Sequence, residues 1–302
     1  MRKITAAFSG VLLLSALVWT FGCGKESPRP SDRLRVVASI TVLEDFVRAV
    51  GGDQVLVQSL ITGLENPHTY EPKVSDVRAV AEADLFVKVG LGVEEWADKL
   101  VANAGNEQLM VWTVTDGIEV LERGENGRGG NPHVWMDPRN AAVMVGRIRD
   151  ALSKLRPEAA GTFRSRTEAY TARIDSLRIE IGKQFPLLSG RKVITYAPAF
   201  PYLLRWLEVE ETERVMTVPG MEPSARRISE VITRMKAEKI GVILTMPQYS
   251  GKVPEMIAGE TGAQVVRITP LLAALPGTET YLDMLRTDAE RIAASLQASK
   301  NR

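Results

Sequence analysis

The chain has 302 residues but only one cysteine and two histidines. A single thiol cannot form an internal disulfide, and it cannot supply the several cysteine ligands of a zinc-finger site. The sequence also lacks a Gly-x-Ser-x-Gly elbow, a His-Glu-x-x-His helix and a nucleotide-binding loop. These motifs carry the chemistry of common hydrolases, metalloproteases and nucleotide-dependent enzymes. We therefore expect a protein that is not an enzyme.

A large excess of charge of either sign is absent as well. Lys and Arg number 38 against 37 Asp and Glu, which gives a net charge of +1. Loss of residues 1–22 would remove Arg2 and Lys3 and leave 36 basic against 37 acidic residues. This balance gives no basic footprint for nucleic acid. The 45% share of hydrophobic residues is typical of a globular protein with a substantial core.

The first 32 residues are typical of an exported lipoprotein. Arg2 and Lys3 precede an uncharged stretch that ends directly before the only cysteine, Cys23. A basic start, an apolar run and a small residue before cysteine predict a signal peptide over residues 1–22 and lipidation of Cys23. The run is long enough that an uncleaved membrane anchor is the alternative. Residues 23–32 are polar and rich in proline, so we expect a tether to the membrane.

Beyond residue 33, short β-branched segments alternate with segments of helical periodicity. Such alternation predicts parallel sheets flanked by helices. Residues 157–187 differ, because their apolar residues at three- and four-residue spacing predict one long amphipathic helix. We therefore predict an α/β fold with an N-terminal lobe over 33–156 and a C-terminal lobe over 188–302. Each lobe is expected to contain a mainly parallel sheet, and one long rigid helix joins them. Residues 208–223 are expected to form a loop.

Both histidines lie in the same tripeptide, Asn66-Pro67-His68 and Asn131-Pro132-His133. Proline fixes its own φ and biases the preceding Asn towards extended backbone, so each imidazole is presented from a stiffened turn. Neutral imidazole is the commonest metal ligand in proteins. The repeated context favours a metal site shared by His68 and His133 over two unrelated turn histidines.

Further segments extend this pattern along the chain. They are Val36-Val37-Ala38-Ser39-Ile40, Ala83-Asp84-Leu85-Phe86, Glu222-Pro223-Ser224-Ala225, Pro247-Gln248 and Thr261-Gly262-Ala263. With the two Asn-Pro-His motifs, the chain from about Leu34 to its end resembles the cluster A-I solute-binding lipoproteins of bacterial ABC transporters, which capture zinc, manganese or iron. The resemblance implies two lobes bridged by a rigid helix, with the metal held between them.

The resemblance also implies a function. We expect the metal-ion-binding component of an ABC importer, extracytoplasmic and lipid-anchored, in the periplasm or at the cell surface. Its cargo would be a divalent transition metal, zinc or manganese first and iron as a further candidate. Its partners would be the transporter permease and, through the lipid anchor, the membrane. We expect a monomer that binds no nucleic acid, with cell adhesion as an additional role.

The second half of the metal site departs from the family pattern. The resemblance implies a histidine or glutamate ligand where this chain has Ala197, and an aspartate where it has Thr269. Met246 stands where many relatives carry a glutamate. Tyr196 either supplies a phenolate or packs as an ordinary buried residue. Because half of the expected ligands are absent, the alternative function is binding of a metal chelate or a small organic ligand by the same fold.

Overall fold

The computed structural model describes residues 33–123, 129–185, 188–218 and 220–300. Over these ranges it contains two four-stranded parallel sheets with flanking helices. The predicted signal peptide, Cys23 and the tether lie outside the described residues. Among the helices that are described, none combines the length and apolar character needed to cross a bilayer.

The N-terminal sheet has the strand order β2-β1-β3-β4. Its strands are β1 Leu34–Ala38, β2 Val55–Ser59, β3 Leu85–Lys88 and β4 Met110–Thr113, and its helices are α1 Thr41–Gly51, α2 Val74–Ala81, α3 Ala97–Ala104 and α4 Pro138–Leu155. The start of α4 is fixed locally, because Asp137 Oδ1 accepts a hydrogen bond from the Arg139 amide at 2.9 Å and Pro138 occupies the first helical position.

Helix α5, Ala160–Gln184, is the long connection between the lobes. Its 25 residues span about 37 Å at 1.5 Å per residue. Its buried side chains recur with helical spacing, at Phe163, Thr167, Tyr170, Ile174, Leu177 and Ile181. They pack against α1 and α4 of the N-terminal lobe and against the last helix of the chain, so α5 contacts both lobes.

The C-terminal sheet repeats the same architecture with the order β6-β5-β7-β8. Its strands are β5 Lys192–Thr195, β6 Glu210–Arg214, β7 Val242–Thr245 and β8 Gln264–Arg267, and its helices are α6 Pro201–Trp206, α7 Ala225–Glu238, α8 Lys252–Thr261 and α9 Tyr281–Lys300. The predicted α/β fold, with two parallel sheets and one long helix, is confirmed.

Strand β6 corrects the expected loop over residues 208–223. Its sequence, Glu-Glu-Thr-Glu-Arg, has none of the apolar alternation that marks a strand. It forms because it lies at a sheet edge, where its charged side chains find partners. Arg214 pairs with Glu211, and Arg227 of α7 pairs with Glu213. Charged side chains on an edge strand also oppose pairing with a second molecule.

The two lobes meet closely at the carboxyl ends of their strands. Gly63, with φ +97°, lies so near the Leu272 carbonyl that a Cβ atom at this position would collide with it. Trp135 Nε1 donates to the Pro270 carbonyl at 2.7 Å, and the Tyr281 hydroxyl donates to the Trp135 carbonyl at 2.7 Å. Ligand sites of parallel α/β sheets lie beyond this end of the strands. The fold therefore points to the space between the lobes.

Candidate metal centre

The two histidines meet in this space. The Nε2 atoms of His68 and His133 are 3.4 Å apart, although the residues are 65 positions apart in the sequence. Two imidazole nitrogens bound to one ion at about 2.0–2.1 Å, with a near-tetrahedral angle between them, lie about 3.3–3.4 Å apart. The spacing of the pair therefore matches two ligands of a single ion.

Each histidine is held by the asparagine of its own tripeptide. Asn66 Oδ1 accepts a hydrogen bond from the backbone amide of His68 at 3.0 Å, and Asn131 Oδ1 accepts one from His133 at 3.1 Å. Asparagine commonly closes a turn by accepting from the amide two residues on. The intervening proline restricts the same backbone. The repeated tripeptide is thus a repeated turn that fixes the Cα–Cβ direction of each imidazole.

The amide nitrogens of the same asparagines cross to the C-terminal lobe. Asn66 Nδ2 donates to the Tyr249 hydroxyl at 3.0 Å, and Asn131 Nδ2 donates to the Pro198 carbonyl at 2.8 Å. Each asparagine therefore shapes a histidine turn with its oxygen and holds the lobes together with its nitrogen. The sequence alone indicated Asn66 and Asn131 only as neighbours of the histidines. Their repetition in both motifs was the one feature that could have pointed to a structural role.

Asn131 also selects the tautomer of His133. Its Oδ1 atom lies 3.0 Å from His133 Nδ1. Because an amide oxygen can only accept, the proton resides on Nδ1, and Nε2 faces His68 with a free lone pair. An outer hydrogen bond of this kind orients a metal-binding imidazole and raises its basicity.

Burial keeps both imidazoles neutral. It lowers the pKa of His133 well below the ordinary value, and the nearby His68 and Arg214 lower it further. Burial also lowers the pKa of His68, while a hydrogen bond with the Gly92 backbone and the charge of Glu95 oppose this shift. At neutral pH the pair therefore presents lone pairs instead of two repelling positive charges.

The C-terminal lobe closes the cavity with apolar groups. Ala197 and Met246, two of the positions where the family pattern is broken, both line it. The other lining residues from this lobe are Pro198, Ala199, Tyr249, Pro270 and Leu271. The space open to the centre of a water molecule is about 10 Å³, near the minimum for one water. The cavity therefore suits a single small occupant.

Thr269 and Tyr196 do not line this cavity. The Thr269 hydroxyl donates to the Leu271 carbonyl at 2.9 Å and accepts from the Leu271 amide at 3.1 Å, so it serves its own turn. Tyr196 is 2% exposed and packs edge-on against Tyr249. Burial, with the charge of Glu222, raises the pKa of the Tyr196 phenol, which keeps it protonated. The packing interpretation of Tyr196 therefore has more support than the phenolate.

A wider, open cleft lies outside the cavity. Glu95, Glu122 and Arg214 line it together with His68 and His133, and Arg214 binds Glu122 at 2.7 Å. Within the described part of the chain, no group of three or more His, Cys, Asp or Glu side chains is placed to hold a metal ion. Of these four residue types, the site thus offers only the two imidazoles.

Comparison with known proteins identifies the family. The family model described as "Zinc-uptake complex component A periplasmic" matches residues 36–295. The chain belongs to this zinc-uptake component A family. The predicted family is therefore confirmed. The prediction that the chain is not an enzyme is also confirmed, because its relatives are named as metal-binding proteins and as substrate-binding lipoproteins of ABC transporters.

Individual relatives in this family carry different metals in their names. The manganese-binding lipoprotein MntA of Halalkalibacterium halodurans is 27% identical, over 98% of this chain and 99% of that protein. The iron-binding protein YfeA of Yersinia pestis is 26% identical, over 95% of this chain and 94% of its own length. A crystal structure of ZnuA superposes with a TM-score of 0.79 and 29% identity, and covers 88% of this chain and 100% of that one. The family therefore fixes a fold and a class of cargo, but not one metal.

Proposed function

We propose that the chain is the extracytoplasmic metal-capturing component of an ABC importer. In this proposal, His68 and His133 bind one transition-metal ion between the lobes, and the loaded protein delivers it to a permease. The observation that carries the proposal is the 3.4 Å separation of the two Nε2 atoms beside a small cavity between the lobes.

The surroundings of the pair support metal capture. The turns fix the imidazole positions, and burial keeps the rings neutral, so binding requires little ordering and no release of ring protons at neutral pH. Zinc, manganese and iron are the candidate ions suggested by the relatives.

Location and partners follow from the N-terminal sequence and from the relatives. The proposed signal peptide over residues 1–22 would direct export, and lipidation of Cys23 would hold the protein at the membrane beside its permease. MntA carries the word lipoprotein in its name, which supports the same arrangement here. We propose that the protein acts as a monomer, with the two lobes of one chain completing the site.

The alternative of a metal chelate or small organic ligand has less support. Pockets for such ligands measure about 300–1,000 Å³, whereas the space between the imidazoles and the C-terminal lobe is about 10 Å³. An organic ligand would have to separate Asn66 from Tyr249 and Asn131 from Pro198 before it could enter.

The test is metal binding by purified protein comprising residues 24–302. Calorimetry with Zn²⁺, Mn²⁺ and Fe²⁺ should show one site, and His68→Ala and His133→Ala should each remove most of the affinity. Lys99→Ala, at an exposed position on α3, is the matched control and should bind like the parent. If no transition-metal ion binds more tightly than about millimolar, equivalent to about 4 kcal/mol, the proposal fails. Unchanged binding by the two histidine variants would defeat it as well.

A further inference from the structure

Met246 brings a third donor atom to the cavity. It directly follows β7, is 5% exposed, and lines the same cavity as His68 and His133. Its carbonyl accepts a hydrogen bond from the Tyr249 amide at 3.3 Å, and the Tyr249 hydroxyl in turn accepts from Asn66. The turn that carries Met246 is therefore tied to the turn that carries His68.

The donors that face this cavity have no negative charge. Its described lining contains imidazole, indole, thioether, amide, hydroxyl and hydrocarbon groups but no carboxylate. Glu95 and Glu122 lie on the open cleft, which His68 and His133 also line, and Glu122 is bound to Arg214. Among the described residues no carboxylate is placed to bind an ion together with the two imidazoles, so a divalent ion there would have no anionic ligand, which is costly in largely apolar surroundings. The Born cost grows with the square of the charge, so a monovalent ion faces about a quarter of this cost.

The number and the softness of the donor atoms in the cavity also favour a monovalent ion. Zinc takes four protein ligands in structural sites and three in catalytic ones. Thioether sulfur is a soft donor that selects Cu(I), and imidazole also suits copper. Two imidazole nitrogens and one thioether sulfur form a three-donor, uncharged set. Such a set matches a soft monovalent ion better than a divalent one.

We propose that this cavity binds Cu(I) through His68 Nε2, His133 Nε2 and the Met246 sulfur, and prefers it to Zn²⁺ and Mn²⁺. This inference rests on the proposed function, because it assigns the cargo of the same histidine pair. It also explains why Met246 stands where many relatives carry a glutamate. Methionine in place of glutamate makes the ligand set softer and removes its negative charge.

The test is an anaerobic competition titration on the protein of residues 24–302. Cu(I) is buffered with a chromogenic Cu(I) chelator, and Zn²⁺ and Mn²⁺ are titrated against chelators suited to them. We expect one Cu(I) per chain, bound about 100-fold or more tighter than Zn²⁺. Met246→Leu should weaken Cu(I) about tenfold or more and leave Zn²⁺ within about threefold. Met246→Glu should favour Zn²⁺ and Mn²⁺ over Cu(I).

Met256→Leu is the matched control. It makes the same change at a 48% exposed methionine on α8 and should leave Cu(I) affinity unchanged. X-ray absorption on the parent protein gives a readout that needs no variant: we expect sulfur as well as nitrogen bound to copper. A shell of nitrogen alone would overturn the inference, whether or not Met246→Leu folds normally.

The outcomes separate this inference from the proposed function. If Zn²⁺ binds more tightly than Cu(I) and still depends on His68 and His133, the copper inference fails and the proposed function stands. If neither ion binds in a histidine-dependent way, both fail.

Discussion

Replacing Asn131 by alanine should weaken metal binding without touching a proposed ligand. The Asn131 side chain is 4% exposed and makes hydrogen bonds of 2.8–3.1 Å with four groups. These are the His133 backbone amide, the His133 ring, the Pro198 carbonyl and the Glu122 carboxylate. Alanine removes all of them, frees the His133 tautomer and loosens one connection between the lobes.

The magnitude follows from these bonds. The bond to Glu122 is discounted because that side chain is 40% exposed. The three remaining bonds contribute about 0.5–1.5 kcal/mol each, so the variant should lose about 1.5–4.5 kcal/mol of unfolding free energy. Loss of an outer partner of a metal-binding imidazole typically costs about 10–100-fold in affinity. We therefore expect metal affinity to fall by at least tenfold in a protein that still folds.

Urea unfolding and calorimetric metal titration measure the two effects separately. Asn106→Ala is the matched control, because Asn106 Nδ2 donates to the Ala83 carbonyl at 2.8 Å entirely within the N-terminal lobe. This control should lose stability but keep the parent metal affinity. If Asn131→Ala binds metal as tightly as Asn106→Ala does, the assigned role of Asn131 in positioning His133 is wrong.

Three further predictions follow from the same structure. Ala197→His adds an imidazole to the lining of the cavity and should tighten Zn²⁺ binding about tenfold by calorimetry; unchanged affinity would show that this position does not face the ion. Metal affinity should stay nearly constant from pH 8 down to about pH 6.5, because burial lowers the pKa of His68 and of His133, so a tenfold loss in that range would contradict the burial argument. Burial also raises the pKa of Asp288 well above its ordinary value, against a backbone hydrogen bond from Thr269. Folding therefore favours its protonated form, and the stability that it contributes below the ordinary carboxyl pKa is lost as the pH rises through its raised pKa. Asp288→Asn should therefore remove the fall in unfolding free energy that Asp288 causes as the pH rises, as measured by denaturant unfolding at several pH values. If the variant and the parent show the same pH dependence of unfolding free energy, this role of Asp288 is wrong.

Strands and helices with strong apolar patterns could be predicted from sequence. Strands β1, β3, β5 and β7 are short β-branched runs, and the buried face of α5 repeats every three or four residues. Helix α3 received no assignment because only Ala97 and Leu100 are buried, too few for a visible face. Strand β6 is stabilised by ion pairs with residues from outside the strand, which no local pattern reveals.

In the candidate site, too, contacts between residues that are distant in the sequence could not be predicted. The histidine pair was predictable because histidine is scarce and both copies share one tripeptide. The contacts of the asparagines were not, because Tyr249 is 183 positions from Asn66, and Pro198 is 67 positions from Asn131. Likewise, the family pattern marked both Ala197 and Thr269 as positions where relatives have a ligand. The structure distinguishes them, because Ala197 lines the cavity whereas the Thr269 hydroxyl hydrogen-bonds to the Leu271 carbonyl in its own turn.

The most direct test of the account is a crystal structure of the metal-loaded protein, with anomalous scattering recorded at the absorption edge of the bound metal. We expect one anomalous peak per chain, within coordination distance of Nε2 of both His68 and His133. A peak bound to only one of these rings, or lying elsewhere on the protein, would contradict the claim that the two lobes close around an ion held by this pair.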